Sequence, residues 1–468
     1  MREPRLLRLN HPVARMLGLD PAWLASDAGV AMLAGNSVPG GAAPIAAAYA
    51  GHQFGGFSPQ LGDGRAVLLG EVVAPDGRRF DIQLKGSGPT PFSRRGDGRA
   101  ALGPVLREYI VSEAMAGLGI ATTRSLAAVA TGEFVMREEP LPGAVLTRVA
   151  ASHIRVGTFQ FFASRGDTEA VRQLADHVIA RHYPEVREAG NPYLALLEAV
   201  VAAQARLIAR WMHVGFIHGV MNTDNMSIAG ETIDYGPCAF MDTYHPMQVF
   251  SSIDQHGRYA FANQPAIAQW NLARLAETLL PLIASEQDKA VQAATDIIEG
   301  FPVPFVAAYA PGLTRKAGII NDGVARDDVR LVEDLLSLMV TAEADYTLTF
   351  RLLADAETDA TASGALRTVL GAGEAADQWI ARWRERLAAE AGTAAARRDM
   401  MRAANPNYIA RNHMVEQVIA EASATGELGL LDQLVEVLQR PFDDQPGCER
   451  FAEPPRPDQV VTATFCGT

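Results

Sequence analysis

Residues 62–85 restrict the fold of this chain more than any other segment, because they predict two neighbouring strands and the residues at their ends. The segment begins with Gly62-Asp63-Gly64-Arg65 and continues in the mostly apolar run Ala66 to Val73. After a turn containing proline and glycine, Phe80 to Leu84 alternates apolar and polar residues, as a half-buried strand does, and leads to Lys85. Glycines let backbone N–H groups approach phosphate oxygens closely, and a lysine at a strand end adds a positioned charge. The segment therefore suits phosphate binding.

A second segment, between His218 and Gly236, carries side chains suited to magnesium and to proton transfer. It contains His218-Gly219-Val220-Met221-Asn222-Thr223-Asp224-Asn225 and, nine residues after Asn225, Asp234-Tyr235-Gly236. Carboxylate and amide oxygens are hard ligands of the kind that Mg²⁺ takes, so Asp234 and Asn225 are candidate metal ligands. Asp224 is a candidate acceptor for the proton of an attacking hydroxyl group.

The order of the two segments is that of a protein-kinase-like fold. The glycine loop and the strand lysine resemble a kinase N-lobe, and the second segment resembles the catalytic loop and the Asp-Phe-Gly motif. In kinases of the small-molecule type an Asp stands where this chain has Val220, whereas Asn225 keeps its usual place. The pattern favours binding of ATP and magnesium over ordinary phosphotransfer.

Between the two segments, one of two glutamates and a pair of arginines are further candidates for the site. A helix predicted from about Ala101 to Gly117 occupies the position of the kinase helix whose glutamate pairs with the strand lysine. On a helical wheel Glu113 lies nearer the apolar stripe than Glu108, although periodicity alone does not decide between them. Arg148 and Arg155 are seven residues apart, a spacing that places two side chains on one face naturally only in a helix. Their guanidinium groups would suit a triphosphate.

We predict an α+β chain with a protein-kinase-like two-lobed fold, in which a small β-rich N-lobe precedes a larger helical C-lobe and a C-terminal helical extension. The predicted divisions are 1–145 for an N-terminal extension and the nucleotide-binding N-lobe, 146–325 for the catalytic C-lobe, 326–440 for the helical extension and 441–468 for an extended tail. Further predicted elements are a helix from Leu194 to Val214, a short strand from Thr232 to Asp234, helices at Asp328 to Met339, Tyr346 to Ala354, Trp379 to Ala389, Met414 to Ala420 and Gly429 to Leu438, and a helix-compatible stretch from Ala391 to Arg398.

Composition excludes several classes of protein. The net charge of −13 argues against a nucleic-acid scaffold, whose surface would be basic. The three cysteines, Cys238, Cys448 and Cys466, are too few for a four-thiolate metal site. No signal peptide or continuous apolar run of membrane-spanning length is recognisable in the sequence. We therefore expect a cytoplasmic protein in a reducing compartment, without a nucleic-acid or membrane partner.

Three long phrases closely resemble the selenoprotein O family of pseudokinase-fold enzymes. They are Tyr49-Ala50-Gly51-His52-Gln53-Phe54-Gly55, Gln83-Leu84-Lys85-Gly86-Ser87-Gly88 and the segment from His218 to Asn225. The resemblance runs from about Tyr49 to Asp242. It implies a protein adenylyltransferase that binds ATP inverted relative to kinases and transfers AMP to a Ser, Thr or Tyr hydroxyl of another protein, with pyrophosphate as the leaving group. UMP transfer from UTP is attributed to some members.

The resemblance also implies roles for individual residues, with Mg²⁺ or Mn²⁺ as the cofactor and ATP as the co-substrate. Asp224 is implied as the proton acceptor, Asn225 and Asp234 as the metal ligands, and Glu108 rather than Glu113 as the partner of Lys85. The implied ATP contacts are Gly62, Gly64, Arg65, Lys85, Asp97, Gly98, Arg148, Arg155 and Asp234.

A redox pair is a further implication of the family. Its members carry cysteine or selenocysteine near the C-terminus, where this chain has Cys466, and some bacterial members pair it with a cysteine shortly after the Asp-Tyr-Gly motif. This chain has no cysteine between Phe240 and Ser252, so Cys238 is the nearby candidate for a disulfide with Cys466.

Two other functions stay open on the sequence. Ordinary phosphotransfer by a divergent kinase is disfavoured by Val220 at the position of the base. A non-catalytic, ATP-binding pseudokinase is disfavoured by the complete set of Lys85, Asn225 and Asp234, which a pure scaffold does not need.

Overall fold

The computed structural model describes residues 1–320 and 326–465. Its strands are β1 (Arg5–Leu9), β2 (Gly51–Gln53), β3 (Gly56–Ser58), β4 (Ala66–Val73), β5 (Arg79–Lys85), β6 (Ala100–Ala101), β7 (Arg124–Met136), β8 (Pro140–Ala150), β9 (Phe216–Ile217) and β10 (Ala239–Phe240). Its α-helices are α1 (His11–Met16), α2 (Pro21–Leu24), α3 (Asp27–Leu33), α4 (Leu102–Gly117), α5 (Val156–Ala163), α6 (Thr168–His182), α7 (Pro192–His213), α8 (Gln264–Ile283), α9 (Gln287–Glu299), α10 (Pro302–Lys316), α11 (Arg326–Thr341), α12 (Tyr346–Ala356), α13 (Ala360–Val369), α14 (Glu374–Ala388), α15 (Ala394–Ala404), α16 (Asn412–Thr425) and α17 (Gly429–Leu438). Short 3₁₀ helices lie at Pro184–Glu188, Thr223–Asn225, Phe261–Asn263, Glu449–Phe451 and Pro457–Gln459.

An antiparallel sheet in the order β1-β7-β8-β5-β4, with β6 added beside β8, forms the N-terminal part of the fold. The two strands predicted from residues 62–85 are confirmed as β4 and β5, and they pair so that Ala66 lies opposite Lys85. The glycine-rich loop before β4 and the lysine that ends β5 are therefore at the same end of the sheet. The strand β8 continues to Ala150, so the predicted division at residue 145 falls inside a central strand.

The sheet is covered on both faces. The short helices α1 to α3 pack on one face, where Val13 and Leu33 join a core with Ile82 and Val129. The other face holds α4, which matches the helix predicted from Ala101 to Gly117. Most residues of α4 are buried, including charged ones, because the helix lies between the sheet and the C-terminal helices α16 and α17. A helix buried on nearly all sides must have a partner for each of its charges.

The helix α7 forms the centre of the helical part. It packs against α8 and α10 and leads through β9 into His218, as predicted from the run Leu194 to Val214. Its length of 22 residues and mean hydropathy of 1.4 meet the criteria of length and composition for a membrane span. Its apolar face is instead covered by other helices of the same chain, which accounts for the apolar composition.

The predicted helices after Arg315 are present as α11, α12, α14, α16 and α17, and the stretch from Ala391 contributes to α15. The predicted strand from Thr232 to Asp234 is wrong. Thr232 forms only an isolated bridge with Thr122, and the backbone of Asp234 is left-handed, with φ of 64°, which a strand does not accommodate. From Pro441 to Phe465 the tail is mostly irregular, and Thr464 pairs with Ser251.

Candidate active site

A cavity of about 620 Å³ opens between the sheet and the helical part. Its walls come from the glycine-rich loop before β4, the ends of β5 and β8, the loop from 92 to 99, and the segments around residues 224 and 234. It contains all the residues that the sequence suggested for nucleotide or metal, namely Gly62, Gly64, Arg65, Lys85, Asp97, Gly98, Arg148, Arg155, Asp224, Asn225 and Asp234.

The cavity is strongly basic, although the chain as a whole carries a net charge of −13. Eight arginine and lysine side chains line it, against four aspartates. A concave surface of one sign concentrates ligands of the opposite sign, so this one favours a polyanion such as a nucleoside triphosphate.

Lys85 and Glu108 form a buried ion pair at the base of the cavity. The Lys85 Nζ lies 2.5 Å from Glu108 Oε2, and Arg148 Nε donates to Glu108 Oε1 at 2.7 Å. Burial would raise the pKa of Glu108, but Arg148 and Lys85 together bring it below its usual value. The wheel argument for Glu113 is therefore wrong. Glu113 accepts from Arg124 Nε and Nη2 at 2.9 and 2.7 Å instead.

Asp234 is held by three cations. Arg148 Nη2 donates to its Oδ1 at 2.7 Å, Arg155 Nη1 donates to its Oδ2 at 2.5 Å, and Lys85 Nζ lies 3.4 Å from Oδ1. Despite burial, these neighbours hold the pKa of the Asp234 carboxyl well below its usual range. The site can therefore keep this carboxylate ionised at any physiological pH.

Arg148 and Arg155 converge on Asp234 without sharing a helix, contrary to the spacing argument. Arg148 belongs to the strand β8, whereas Arg155 is the N-cap of α5, after the chain has turned at Ala150. The change of direction between strand and helix brings the two guanidinium groups together, which periodicity within one element does not describe.

Asp224 lies in the 3₁₀ turn Thr223–Asn225 and is almost fully buried. Gln53 Nε2 donates to its Oδ2 at 3.1 Å, while its Oδ1 is buried with no hydrogen-bond partner. Burial raises the pKa of Asp224 to about 6, although the nearby Arg155 acts in the opposite direction. A carboxylate with a pKa near the working pH and an uncommitted oxygen is suited to accept a proton.

Asn225 and Asp234 line the same cavity, and each carries hard oxygen atoms of the kind that a divalent cation takes. Asn225 Nδ2 donates to Val220 O at 3.0 Å, which leaves the amide oxygen as the atom available to a ligand. Among residues 1–320 and 326–465, no group of three or more His, Cys, Asp or Glu side chains is arranged to bind a metal alone. Two hard oxygen ligands completed by substrate phosphates are the arrangement that Mg²⁺ commonly has in proteins.

A small hairpin, β2 with β3, supports the turn that carries Asp224. Its backbone amides donate to that segment, His52 N to Thr223 Oγ1 at 2.7 Å and Phe54 N to Asn222 Oδ1 at 3.2 Å. Sequence reasoning assigned no role to these hairpin residues. The sequence signal for these residues was the phrase from Tyr49 to Gly55, which was used only as evidence of the resemblance to the selenoprotein O family.

Two other candidates lie at the edges of the site. Asp97 is partly exposed at the cavity rim, where its carboxylate accepts from Arg137 Nη1 at 3.0 Å. Cys238 is fully buried, and its carbonyl oxygen accepts from Arg107 Nη1 at 3.2 Å. The suggested disulfide to Cys466 lies outside the described residues.

Sequence comparisons identify relatives that match almost the whole chain. The family described as "Protein adenylyltransferase SelO" matches residues 1–439. A protein nucleotidyltransferase YdiU of Bradyrhizobium diazoefficiens is 64% identical over 466 residues, covering 99% of this chain and 94% of the relative. Proteins of the same name from Rhodopseudomonas palustris and Methylorubrum extorquens are 63% and 62% identical, each covering 99% of this chain and 94% of the relative. The chain is therefore a member of the SelO family.

Proposed function

We propose that this chain transfers AMP from ATP to a Ser, Thr or Tyr hydroxyl of another protein and releases pyrophosphate. The observation that carries the proposal is the pairing of a buried proton acceptor, Asp224, with a basic cavity large enough for a nucleotide. The family description and the names of the relatives support nucleotidyl transfer in general. The identities of the transferred group as AMP and of the acceptor as a hydroxyl side chain are parts of the proposal that go beyond general nucleotidyl transfer.

The proposed reaction assigns one task to each part of the site. The acceptor oxygen attacks the α-phosphorus while its proton passes to Asp224, and the bond from the α-phosphorus to the bridging oxygen breaks. Pyrophosphate carries the bonding electrons away. Lys85, Arg148 and Arg155 bind the phosphates and offset the charge that grows on the leaving group. Asn225 and Asp234 would hold Mg²⁺ or Mn²⁺, which supplies further neutralisation of the phosphates.

A protein-kinase-like arrangement of two lobes is also part of the proposal. It is supported by the antiparallel sheet, by the helix α4 beside it and by the Lys85–Glu108 ion pair. The buried Val220 in place of a kinase base argues against phosphotransfer. The inverted nucleotide, with its α-phosphorus toward the acceptor, is the orientation that the resemblance to the family implies, and Asp224 as the base is consistent with it.

The test uses ATP labelled separately at the α- and γ-phosphate. Purified protein is incubated with each form, with Mg²⁺ or Mn²⁺ and a bacterial protein extract, and protein-bound label is counted. We expect label from the α position alone, and its loss in Asp234→Ala. UTP labelled at the α position tests UMP transfer in the same assay. Label from the γ position alone would establish a kinase, and no label with either ATP would favour the non-catalytic alternative.

Gly51 gives a second test, because it lies directly against the proposed base. A Cβ atom at this position would be 2.5 Å from Asp224 Oδ1 and 3.0 Å from Asp224 Cβ and Cγ. We expect Gly51→Ala to displace the carboxylate and lower transfer by about 10²-fold, since a shift of about 1 Å at a reacting group has that effect. The measurement is the rate of α-label transfer at saturating ATP.

The matched control is Gly56→Ala in the same hairpin, where an added Cβ would meet only Gln53 O, at 3.6 Å. This variant should keep the wild-type rate. Full activity of Gly51→Ala would contradict the assignment of Asp224 as the base.

A further inference from the structure

A shallow cavity of about 700 Å³ lies beside the β2–β3 hairpin, outside the nucleotide cavity. We call it the acceptor face, and its lining includes Phe54, Ile253, Asp254 and Arg258. It adjoins the proposed base through the chain itself, because Phe54 directly follows Gln53, whose amide donates to Asp224. A segment that contacts Phe54 would therefore lie one residue along the hairpin from the side chain that hydrogen-bonds to the proton acceptor.

Phe54 occupies a backbone conformation that is unfavourable for its side chain. It stands at the first turn position of the hairpin with φ of 51°, followed by Gly55 with φ of 88°. Turns of this kind strongly favour Asn, Asp or Gly there, because a bulky side chain is strained in the left-handed region. Phe54 as a whole residue is nevertheless 38% exposed. Residues held in unfavourable backbone conformations cluster at functional sites.

The hydrogen bonds around the turn hold Phe54 in this conformation. Its N–H donates to Asn222 Oδ1 at 3.2 Å and to Tyr259 OH at 3.1 Å, and its ring lies 5.1 Å from that of Tyr259. Ile253, on the same cavity, is 52% exposed. The acceptor face therefore presents apolar side chains that are fixed in place and open to solvent.

Arg258 supplies a guanidinium group to the face. The guanidinium carbon lies 4.8 Å from the centre of the Trp270 ring and 5.8 Å from that of Tyr259. In the described parts of the chain no carboxylate forms an ion pair with Arg258, and its Nε is buried without a hydrogen-bond partner. Asp254 lines the same face and carries the opposite charge, but its two oxygens accept from the backbone N–H groups of Arg258 and Tyr259 at 2.9 and 2.8 Å and do not pair with the guanidinium group.

We propose that the acceptor face binds the hydroxyl-bearing segment of the protein substrate and selects segments with an acidic side chain near the hydroxyl. Arg258 pairs with that acidic side chain, and Phe54 packs against the segment. The inference rests on the proposed function. It adds a substrate class, hydroxyl side chains in acidic surroundings, and a place where specificity is set.

The first experiment measures transfer of α-label from ATP to synthetic peptides that carry one Ser, Thr or Tyr. Glu, Gln or Lys is placed in turn at each position within four residues of the hydroxyl. For at least one position we expect kcat/KM with Glu to exceed that with Lys by about tenfold, since opposed charges at a binding face are well discriminated. Arg258→Glu should reverse the preference. Arg258→Gln should remove it.

The control is Arg382→Glu, which makes the same change of charge on α14. The Arg382 side chain is 55% exposed and pairs with Asp334 at 2.7 Å. Arg382→Glu should leave the preference for Glu over Lys near the hydroxyl as it is in the wild type.

A second variant separates docking from folding. Phe54→Gly places at the turn a residue that accepts positive φ without strain, so the melting temperature should not fall. We expect KM for the peptide to rise about tenfold, with KM for ATP unchanged, because the ring lies outside the nucleotide cavity. A residue with a purely structural role would leave both KM values unchanged.

The outcomes distinguish this inference from the proposed function. Labelled peptides without any dependence on flanking charge would overturn the acceptor face and leave AMP transfer intact. Labelling of extract proteins but of no peptide would also overturn it, because a short acceptor segment would then be insufficient. Absence of α-label on every peptide and protein would overturn both.

Discussion

Asp224→Asn should lower AMP transfer by at least about 10²-fold, the usual contribution of a positioned acid–base group. The same change should make the protein more stable at neutral pH. Burial raises the pKa of Asp224 from 3.8 to about 6, so the ionised carboxylate opposes folding. A rise of one unit in pKa corresponds to about 1.4 kcal/mol. At pH values where Asp224 is ionised in both the folded and the unfolded wild type, Asp224→Asn should therefore raise the free energy of unfolding by about 3 kcal/mol.

The pH dependence of this prediction has a definite sign. Between about pH 4 and 6 the folded protein retains the Asp224 proton that the unfolded chain has lost, so the wild type loses stability as the pH rises through this range. The advantage of Asp224→Asn should therefore grow from pH 4 to pH 6 and stay constant above. Wild-type transfer should rise over about pH 5 to 7, with its midpoint near the pKa of about 6.

Urea unfolding at several pH values and initial rates of label transfer check both parts. Asp443→Asn, at an exposed position after α17, is the control and should change neither quantity. A variant at position 224 that loses stability, or that retains transfer, would show that the buried carboxylate has a structural role rather than the role of a base.

Arg148→Met should be the most destabilising single change in the site. The Arg148 side chain is 1% exposed and serves three acceptors, Glu108, Asp234 and Gln83, the last through Nη1 at 3.1 Å. Methionine has a similar length but no charge, so two buried carboxylates would each lose a donor. Breaking a buried ion network in this way costs about 3–5 kcal/mol, which urea unfolding at pH 7 would measure. ATP binding should be lost as well.

The exposed Arg382 again provides the comparison. Arg382→Met removes a surface ion pair, which is worth at most about 1 kcal/mol. Arg148→Lys should recover part of the stability but not ATP binding, because lysine lacks the planar fork that reaches two carboxylates at once. A loss below about 1 kcal/mol in Arg148→Met would mean that Lys85 and Arg155 suffice to neutralise Glu108 and Asp234.

The sequence predicted those parts of the site in which one local pattern determines one element. β4, β5 and α4 agree with their predicted bounds to within one residue because alternation and helical periodicity are strong there. Helical periodicity did not identify Glu108 over Glu113 as the partner of Lys85, because α4 is buried on nearly all sides. In such a helix the apolar stripe does not mark a single inward face, and each glutamate is matched to a separate arginine, Arg148 or Arg124.

Contacts between distant segments were beyond any local pattern. The convergence of Arg148 and Arg155 depends on the turn between β8 and α5, and the left-handed Asp234 interrupts what looked like a strand. The role of the β2–β3 hairpin was also unpredicted, because it depends on hydrogen bonds to residues 222–224, which are distant in the sequence.

The β2–β3 hairpin affects the stage of folding at which Asp224 becomes positioned. Its contacts with the turn around Asp224 join residues 171 positions apart in the chain. Two strands of three residues each do not form a stable hairpin in water alone, and contacts over long separations form late in folding. During synthesis the hairpin leaves the ribosome well before its partner, and it becomes ordered only once residues 222–224 have been made and packed. A nascent or partly folded chain therefore has no positioned Asp224. If Asp224 is the base, as proposed, such a chain would not modify nearby proteins before its own folding is complete.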